Sequence, residues 1–369
     1  MSGMWGRYLQ LSIFGESHGG GIGVNISGLP AGFPLDMEAV GREMERRAPG
    51  RNRISTARRE ADVPEILSGV FNGRTTGAPL CALIRNTDTR SQDYGNLAYQ
   101  MRPGHSDYPA SVRYGGFNDY RGGGHFSGRL TAPLVFAGAV ARQILAAQGI
   151  RVGGHLLEAA GVEDDSFDPV QVPDALLERL HDMEIPLIRE ERQEAVRQAI
   201  LEAKTAGDSV GGIVECAVTG LPAGVGDPFF DSVESTLAQL LFSVPAVKGV
   251  AFGSGFGMAR MRGSVCNDPY YYDGEGRVRA SSNHNGGLLG GITDGMPVLF
   301  TAAIKPTASI ALEQQTVNLR EHRDDRMVVR GRHDPCIAVR AVPVLEAVAA
   351  IGMLDQLKGC GQLAQTWKE

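Results

Sequence analysis

The residues able to do chemistry stand in glycine-rich surroundings at a few places along the chain. His18 lies in Phe14-Gly15-Glu16-Ser17-His18-Gly19-Gly20-Gly21, where a strand pattern gives way to a turn. His105 lies in Arg102-Pro103-Gly104-His105-Ser106-Asp107. Imidazole titrates near neutrality, so a histidine on an exposed turn suits proton transfer; the plainer reading is a turn histidine bonded to backbone. Between them, Arg46, Arg47, Arg51, Arg53, Arg58 and Arg59 put six arginines into fourteen residues around a Pro-Gly turn. Cations complement the end of a helix, which accounts for one or two of them. The rest fit a small, multiply anionic ligand, because guanidinium groups grip phosphate and carboxylate with two hydrogen bonds at once. An RNA patch is the competing account, but no aromatic residue is interleaved among these arginines.

Three further segments belong with these. Asp119-Tyr120-Arg121-Gly122-Gly123-Gly124-His125-Phe126-Ser127-Gly128-Arg129 closes a stretch of about 45 residues with little periodicity, a length at which a loop is functional or disordered. The N–H groups of Gly122 to Gly124 are expected to form an anion nest ahead of a helix beginning near Thr131. Ser282 to Gly291, followed by Lys305-Pro306-Thr307-Ala308-Ser309, and then Arg330-Gly331-Arg332-His333-Asp334, place more polar groups before a C-terminal helix.

Other chemistries lack their residues. Gly253-Ser254-Gly255-Phe256-Gly257 is not a full dinucleotide fingerprint, and no phosphate-loop, H-E-x-x-H or G-x-S-x-G sequence occurs. The five cysteines are widely spaced with no C-x-x-C, so no metal site is expected. A net charge of −6 argues against a nucleic-acid partner. No apolar run reaches the ~20 residues of a membrane span. The N-terminus does not read as a signal peptide, so the expected compartment is the cytoplasm.

The elements that must hold these residues are repeated. Residues 15–32, GESHGGGIGVNISGLPAG, and 207–224, GDSVGGIVECAVTGLPAG, are identical at nine of 18 positions. Each runs into an amphipathic helix pattern. Gly73 to Pro79 then matches Gly291 to Pro297, and Gly104-His-Ser-Asp107 matches Gly331-Arg-His-Asp334. Each copy ends in an Ala-rich helix. One domain over 1–369 is expected, with related halves at about 8–150 and 205–358 and a connector at 151–204, layered around one core. The repeat is an internal control. Val210 stands opposite His18 and Arg332 opposite His105, so the scaffold can be built without either histidine. Gly19 and Gly211 read as structural. Asp107 and Asp334 occur in both copies, which leaves fold and function unseparated for them.

FGESHGGGIG, RRAPGR, RPGHSDYP, DYRGGG, SNHNGGLLGG, IKPTAS and GRHDPC, in this order, resemble the signature segments of the chorismate synthases over about residues 5–357. The resemblance implies an α+β fold, a β-α-β sandwich with helices between antiparallel sheets and an internal pseudo-twofold. It implies conversion of 5-enolpyruvylshikimate 3-phosphate to chorismate and phosphate by a 1,4-elimination requiring reduced FMN, in a homotetramer. By the same resemblance, His105 protonates the leaving phosphate, His18 holds the protonation state of the flavin, and Asp334 takes part in removing the C6 proton. Arg46, Arg47, Arg53 and Arg102 would meet substrate or a nicotinamide phosphate. His125, Phe126, Ser127, Ala246, Gly290, Lys305, Pro306, Thr307, Ala308, Ser309 and Arg332 would hold FMN. NADPH, or a separate flavin reductase, would be the source of reducing equivalents. A flavin- or NADPH-dependent oxidoreductase using the same basic cleft is the alternative.

Overall fold

Alternating apolar residues dictate two sheets, each with one face turned inward. In the computed structural model, which describes residues 3–50, 54–56, 60–88, 91–329, 331 and 333–368, the first sheet is built from β1 (Met4–Trp5), β2 (Gln10–Gly15), β3 (Gly21–Ser27), β4 (Pro64–Ser68) and β5 (Leu80–Arg85). Its order is β1-β2-β3-β5-β4, antiparallel throughout. Period-two spacing puts Ile22, Val24 and Ile26 of β3 beside Ile84, Ala82 and Leu80 of β5 on one buried face. The second sheet comprises β6 (Arg151–Ala159), β7 (Val162–Glu163), β8 (Gly212–Thr219), β9 (Val247–Phe252) and β10 (Val298–Ile304), ordered β9-β10-β8-β6-β7. Val214, Cys216 and Val218 pair there with Ala302, Phe300 and Val298.

The two orders are the same: β4-β5-β3-β2-β1 corresponds to β9-β10-β8-β6-β7. The expected fold class, a sandwich of two related halves, is therefore present. The segment 151–204 is more than a connector, however. It supplies β6, the counterpart of β2, and then α4 (Asp174–Asp182) and α5 (Gln193–Thr205). The sequence repeat misses β6 because the similarity begins only at the turn after it. Where the first half passes from β2 to β3 through residues 16–20, the second inserts residues 160–211.

Between the sheets lie α1 (Met37–Arg47), α3 (Thr131–Ala146), α6 (Val233–Ser243) and α7 (Ala338–Gly359); α2 (Asp107–Tyr114) is peripheral. α3 and α7 are buried on nearly every side, so their sequences are apolar all round rather than striped. They cross closely enough that a Cβ on Gly138 would come within 2.2 Å of the Ala347 Cβ. Two arginines and two glutamates lock the helices together. Glu346 of α7, 1% exposed, pairs with Arg46 of α1 at 2.5 Å and with Arg142 of α3 at 2.9 Å. Glu43 joins both arginines and His181 of α4. Burial opposes the Glu43 charge, but Arg142, His181 and Arg46 outweigh it and hold the carboxyl far below the usual range.

Candidate active site

The residues singled out by chemistry come together between the halves, around a cavity of about 970 Å³. His18 reaches it from the tight β2–β3 turn. His105 reaches it from the segment before α2. Asp334 reaches it from the segment before α7. Arg47, at the end of α1, and Arg102 line it too, as do His125, Phe126, Ser127, Ala246 and Lys305 to Ser309.

The long stretch between β5 and α3 is held by the other half. Met101 N–H donates to the Val317 carbonyl, Leu319 N–H donates to that of Tyr99, and Gln100 Nε2 donates to Asp325. These acceptors and donors belong to the hairpin Gln314–Asn318/Arg323–Met327. Lys305 Nζ donates to the Gly104 carbonyl at 2.5 Å, and Arg102 Nη1 to Ser309 Oγ at 3.2 Å. The segment 102–107 is thus anchored to the end of β10, and the two halves share one site wall.

Gly122, Gly123 and Gly124 have φ of 57°, 88° and 53°, a run no other residue type adopts readily. Of the three N–H groups expected to form an anion nest, that of Gly123 is taken by the Tyr120 carbonyl. The run has a steric role. A Cβ on Gly122 would lie 2.4 Å from His18 Cε1, and one on Gly123 would lie 3.1 Å from His105 Cε1. Bare backbone passes over both imidazoles, and Ser17 N–H donates to the Gly124 carbonyl to fix the first of them.

His105 is oriented by a carboxylate. Its Nδ1 lies 2.7 Å from Asp107 Oδ1. Arg102 grips the same carboxylate, with Nε 2.7 Å from Oδ2 and Nη2 2.8 Å from Oδ1. Burial alone would raise the Asp107 carboxyl; hydrogen bonds from Arg102 and His105, with their charges, hold it well below its ordinary value. Asp334 accepts the Thr56 N–H at 2.7 Å through Oδ1 and pairs with Arg340 through Oδ2.

The arginines are not bare. Arg47 is 2% exposed; it pairs with Asp62 at 2.5 Å and donates from Nε to Thr131 Oγ1 at 3.1 Å. Burial, aided by the nearby cations Arg340 and Arg129 against the opposing Asp62, lowers its pKa to about 9, which leaves it cationic at neutral pH. Arg129 shares Asp62 from the other side, and Arg340 donates from Nε to the Arg47 carbonyl at 3.0 Å. Lys305 is pulled below the ordinary lysine value by burial and by Lys248.

Two of the expected residues do not line this cavity. Arg46 turns away from the cavity into the buried network with Glu43 and Glu346, because its neighbour at the helix end already takes the inward direction. Gly290 sits exposed at the turn of the hairpin Leu288–Leu289/Ile292–Thr293 and does not line the cavity. Arg53 and Arg332 lie outside the described residues. Sequence reading passed over Arg129 and Arg340 as cavity cations, although both stand within the segments that carry the site. Arg129 follows the triple glycine, and Arg340 lies six residues beyond Asp334.

The cavity also has the character a flavin phosphate requires. Leu134, Leu240, Val244, Ile337 and Val344 give it apolar lining in addition to its cationic groups. Thr307 Oγ1 is buried there without a hydrogen-bond partner among the described residues. A flat amphipathic ring system with an anionic tail fits that division.

The chorismate synthase family profile matches residues 9–357. This chain belongs to the chorismate synthase family. It is 48% identical over 351 residues to a chorismate synthase of Chitinophaga pinensis, covering 95% of each chain. It is 43% identical to one of Dehalococcoides mccartyi over the full length of both, and 46% identical to one of Thermococcus kodakarensis over 96% of this chain and 97% of that one. A crystal structure of a chorismate synthase superposes with a TM-score of 0.76 at 29% identity, covering 97% of this chain and 94% of the other. Membership makes the protein a lyase that acts on a small molecule. No helix among the described residues is long and apolar enough to cross a membrane.

Proposed function

We propose that the chain converts 5-enolpyruvylshikimate 3-phosphate to chorismate and phosphate, the last common step of the shikimate route to aromatic amino acids, with reduced FMN as cofactor. One observation carries the reading. His18, His105 and Asp334, from three separate stretches of chain, line one cavity with Arg47, Arg102 and Lys305. The reaction breaks the C3–O bond to phosphate and removes a proton from C6, with no net oxidation. Its substrate is anionic at a phosphate and at carboxylates, which is what the cationic wall suits. Reduced flavin, when bound, supplies transient electron density that eases C–O cleavage.

The protein's own groups do the rest. His105 donates a proton to the departing phosphate, and the adjacent Arg102 and Lys305 stabilise its charge. Asp334, an acceptor set by Thr56 and Arg340, receives the C6 proton. His18, pressed under Gly122, would hold the proton that sets the protonation state of the flavin. Ser127, Thr307 and Ser309 would supply hydroxyls to hold its polar parts, and Phe126 and Ala246 would supply apolar surface for its ring. The enzyme acts in the cytoplasm with flavin reduced by NADPH or by a separate reductase. The homotetramer is supported by large apolar side chains left exposed beside and along edge strand β4, Val63 and Leu67, and at Phe71 in the hairpin after it.

The discriminating experiment is flavin stoichiometry under anaerobic conditions. A lyase forms many chorismate molecules for each reduced FMN supplied. One product per flavin oxidised would establish the oxidoreductase reading instead.

A further inference from the structure

The geometry points to Asp107 as the positioning residue of this site, holding His105 as the tautomer that carries its hydrogen on Nδ1 and turns Nε2 to the reaction. The inference rests on the reading of His105 as the proton donor to phosphate, and it concerns how that donor is set. An ionised carboxylate can only accept, so the 2.7 Å contact between Asp107 Oδ1 and His105 Nδ1 requires the hydrogen on Nδ1. Arg102 Nη2 stands 3.1 Å from the same Nδ1, but an Nδ1 that carries a hydrogen has no lone pair to accept from it, and Nη2 donates to Asp107 Oδ1 at 2.8 Å. Two donors thus converge on one acceptor. The arginine, 5% exposed, makes the carboxylate a fixed acceptor and not a competitor for the proton.

Among the described residues, Asp107 is the one carboxylate hydrogen-bonded to His105. The charged groups around it are Arg102 and Asp107 from its own segment and Lys305 from the end of β10, whose Nζ is directed at the Gly104 carbonyl. Gly123 contributes only backbone, and its missing Cβ is what lets the ring keep this position, 3.2 Å from where that Cβ would stand to Nε2. Ser106 Oγ lies 3.4 Å from Nδ1, too far to hold the ring against a charge-assisted bond. The second half has the corresponding carboxylate, Asp334, but bonds it to Thr56 and Arg340, so pairing with an imidazole is not a requirement of the scaffold.

The test is Asp107→Asn, with Asp107→Glu and His105→Ala alongside, assayed anaerobically with reduced FMN across pH. An amide in place of the carboxylate keeps the shape and removes the fixed acceptor. The expected result is a fall in kcat of at least roughly 10-fold and no larger than that of His105→Ala, which should cost roughly 10²–10⁴-fold. KM for substrate should stay within about threefold, since the substrate meets the imidazole and not Asp107. The alkaline limb of the pH–rate profile should move to lower pH, because an imidazolium without its carboxylate loses its proton more easily. Asp107→Glu should restore part of kcat and return the limb toward its original position. A merely structural carboxylate would lower the amount of folded enzyme without moving that limb. Wild-type kcat and pH profile in Asp107→Asn, beside a dead His105→Ala, would overturn the positioning role and leave the donor reading intact; full activity in His105→Ala would overturn the donor reading itself. Should Asp107→Asn fail to fold, ¹⁵N NMR of histidine-labelled wild-type protein decides, with His105 assigned by its loss in His105→Ala. The neutral ring is expected as the Nδ1–H tautomer. An Nε2–H tautomer would contradict the proposal.

Discussion

Gly104-His105-Ser106-Asp107 in the first half and Gly331-Arg332-His333-Asp334 in the second occupy corresponding places in the sequence, and each ends in an aspartate at or near the start of a helix. The first aspartate is engaged by an arginine and an imidazole. The second takes a backbone N–H and a different arginine, and itself lines the cavity. The strand turns differ in the same manner. Residues 16–20 make a tight turn that delivers His18 to the cavity. The corresponding link in the second half runs out over the sheet, and Val210, opposite His18, packs on the core. The duplicated fold thus supplies two sets of positions: His18 and His105 have no histidine at their matching positions Val210 and Arg332, while the second half brings His333, matching Ser106, to the same cavity. Even the shared glycines are unequal. A Cβ on Gly211 would lie 2.5 Å from the Ile304 carbonyl oxygen, while one on Gly19 would meet nothing nearer than 3.6 Å.

The largest expected effect lies at the histidines that the second half lacks. His18→Ala and His105→Ala should fold and lose roughly 10²–10⁴-fold in rate, the usual range for acid–base groups, by anaerobic turnover with reduced FMN. Arg46 and Arg47 break the comparison next, since adjacent residues face different places. Arg47→Ala should raise KM and also cost about 3 kcal/mol of stability in urea denaturation, because among the described residues Asp62 then keeps only Arg129 as an ion-pair partner. Arg46→Ala should lose a similar amount, leaving Glu346 with Arg142 alone among the described residues, and leave KM unchanged. The paired glycines give a smaller contrast. Gly211→Ala should destabilise by roughly 1–3 kcal/mol through overpacking, and Gly19→Ala by less than about 0.5 kcal/mol, in the same denaturation experiment.

The smallest effect concerns the insertion that only the second half has. His155 of β6 is buried against Glu215 of β8 at 2.8 Å, with Asp164 of the insertion 3.4 Å away. Burial disfavours its charge, but hydrogen bonds to Asp164 and Glu215 outweigh this and raise its pKa. A raised folded-state value stabilises fully below the unfolded histidine pKa of about 6.5, and that stability is lost as pH rises through the folded value. The urea midpoint of wild type over His155→Gln should therefore show an advantage on the order of 1 kcal/mol in mildly acidic buffer that shrinks on the alkaline side.

Most of the architecture was legible because period-two runs and the repeated Gly-Leu-Pro-Ala-Gly turns mark corresponding strands in both halves. β6 escaped because the repeat is silent before residue 207, where burial asks only for apolar side chains. His18, His105, Arg47, Arg102 and Asp334 were legible from residue type and glycine surroundings. Arg46 was not, since two adjacent arginines at a helix end read alike and only packing against α7 decides which one turns inward. The work of the triple glycine was equally hidden. Three glycines announce close approach, but nothing in the sequence says that two histidines lie beneath them.

We propose that one cavity between the halves holds both reduced flavin and the phosphorylated substrate. The proposal is tested most directly by anaerobic phosphate release from 5-enolpyruvylshikimate 3-phosphate with dithionite-reduced FMN, with oxidised FMN as control. The account predicts release only with reduced FMN, with chorismate absorbance appearing in step. No release by folded protein in either condition, or equal release in both, would contradict it.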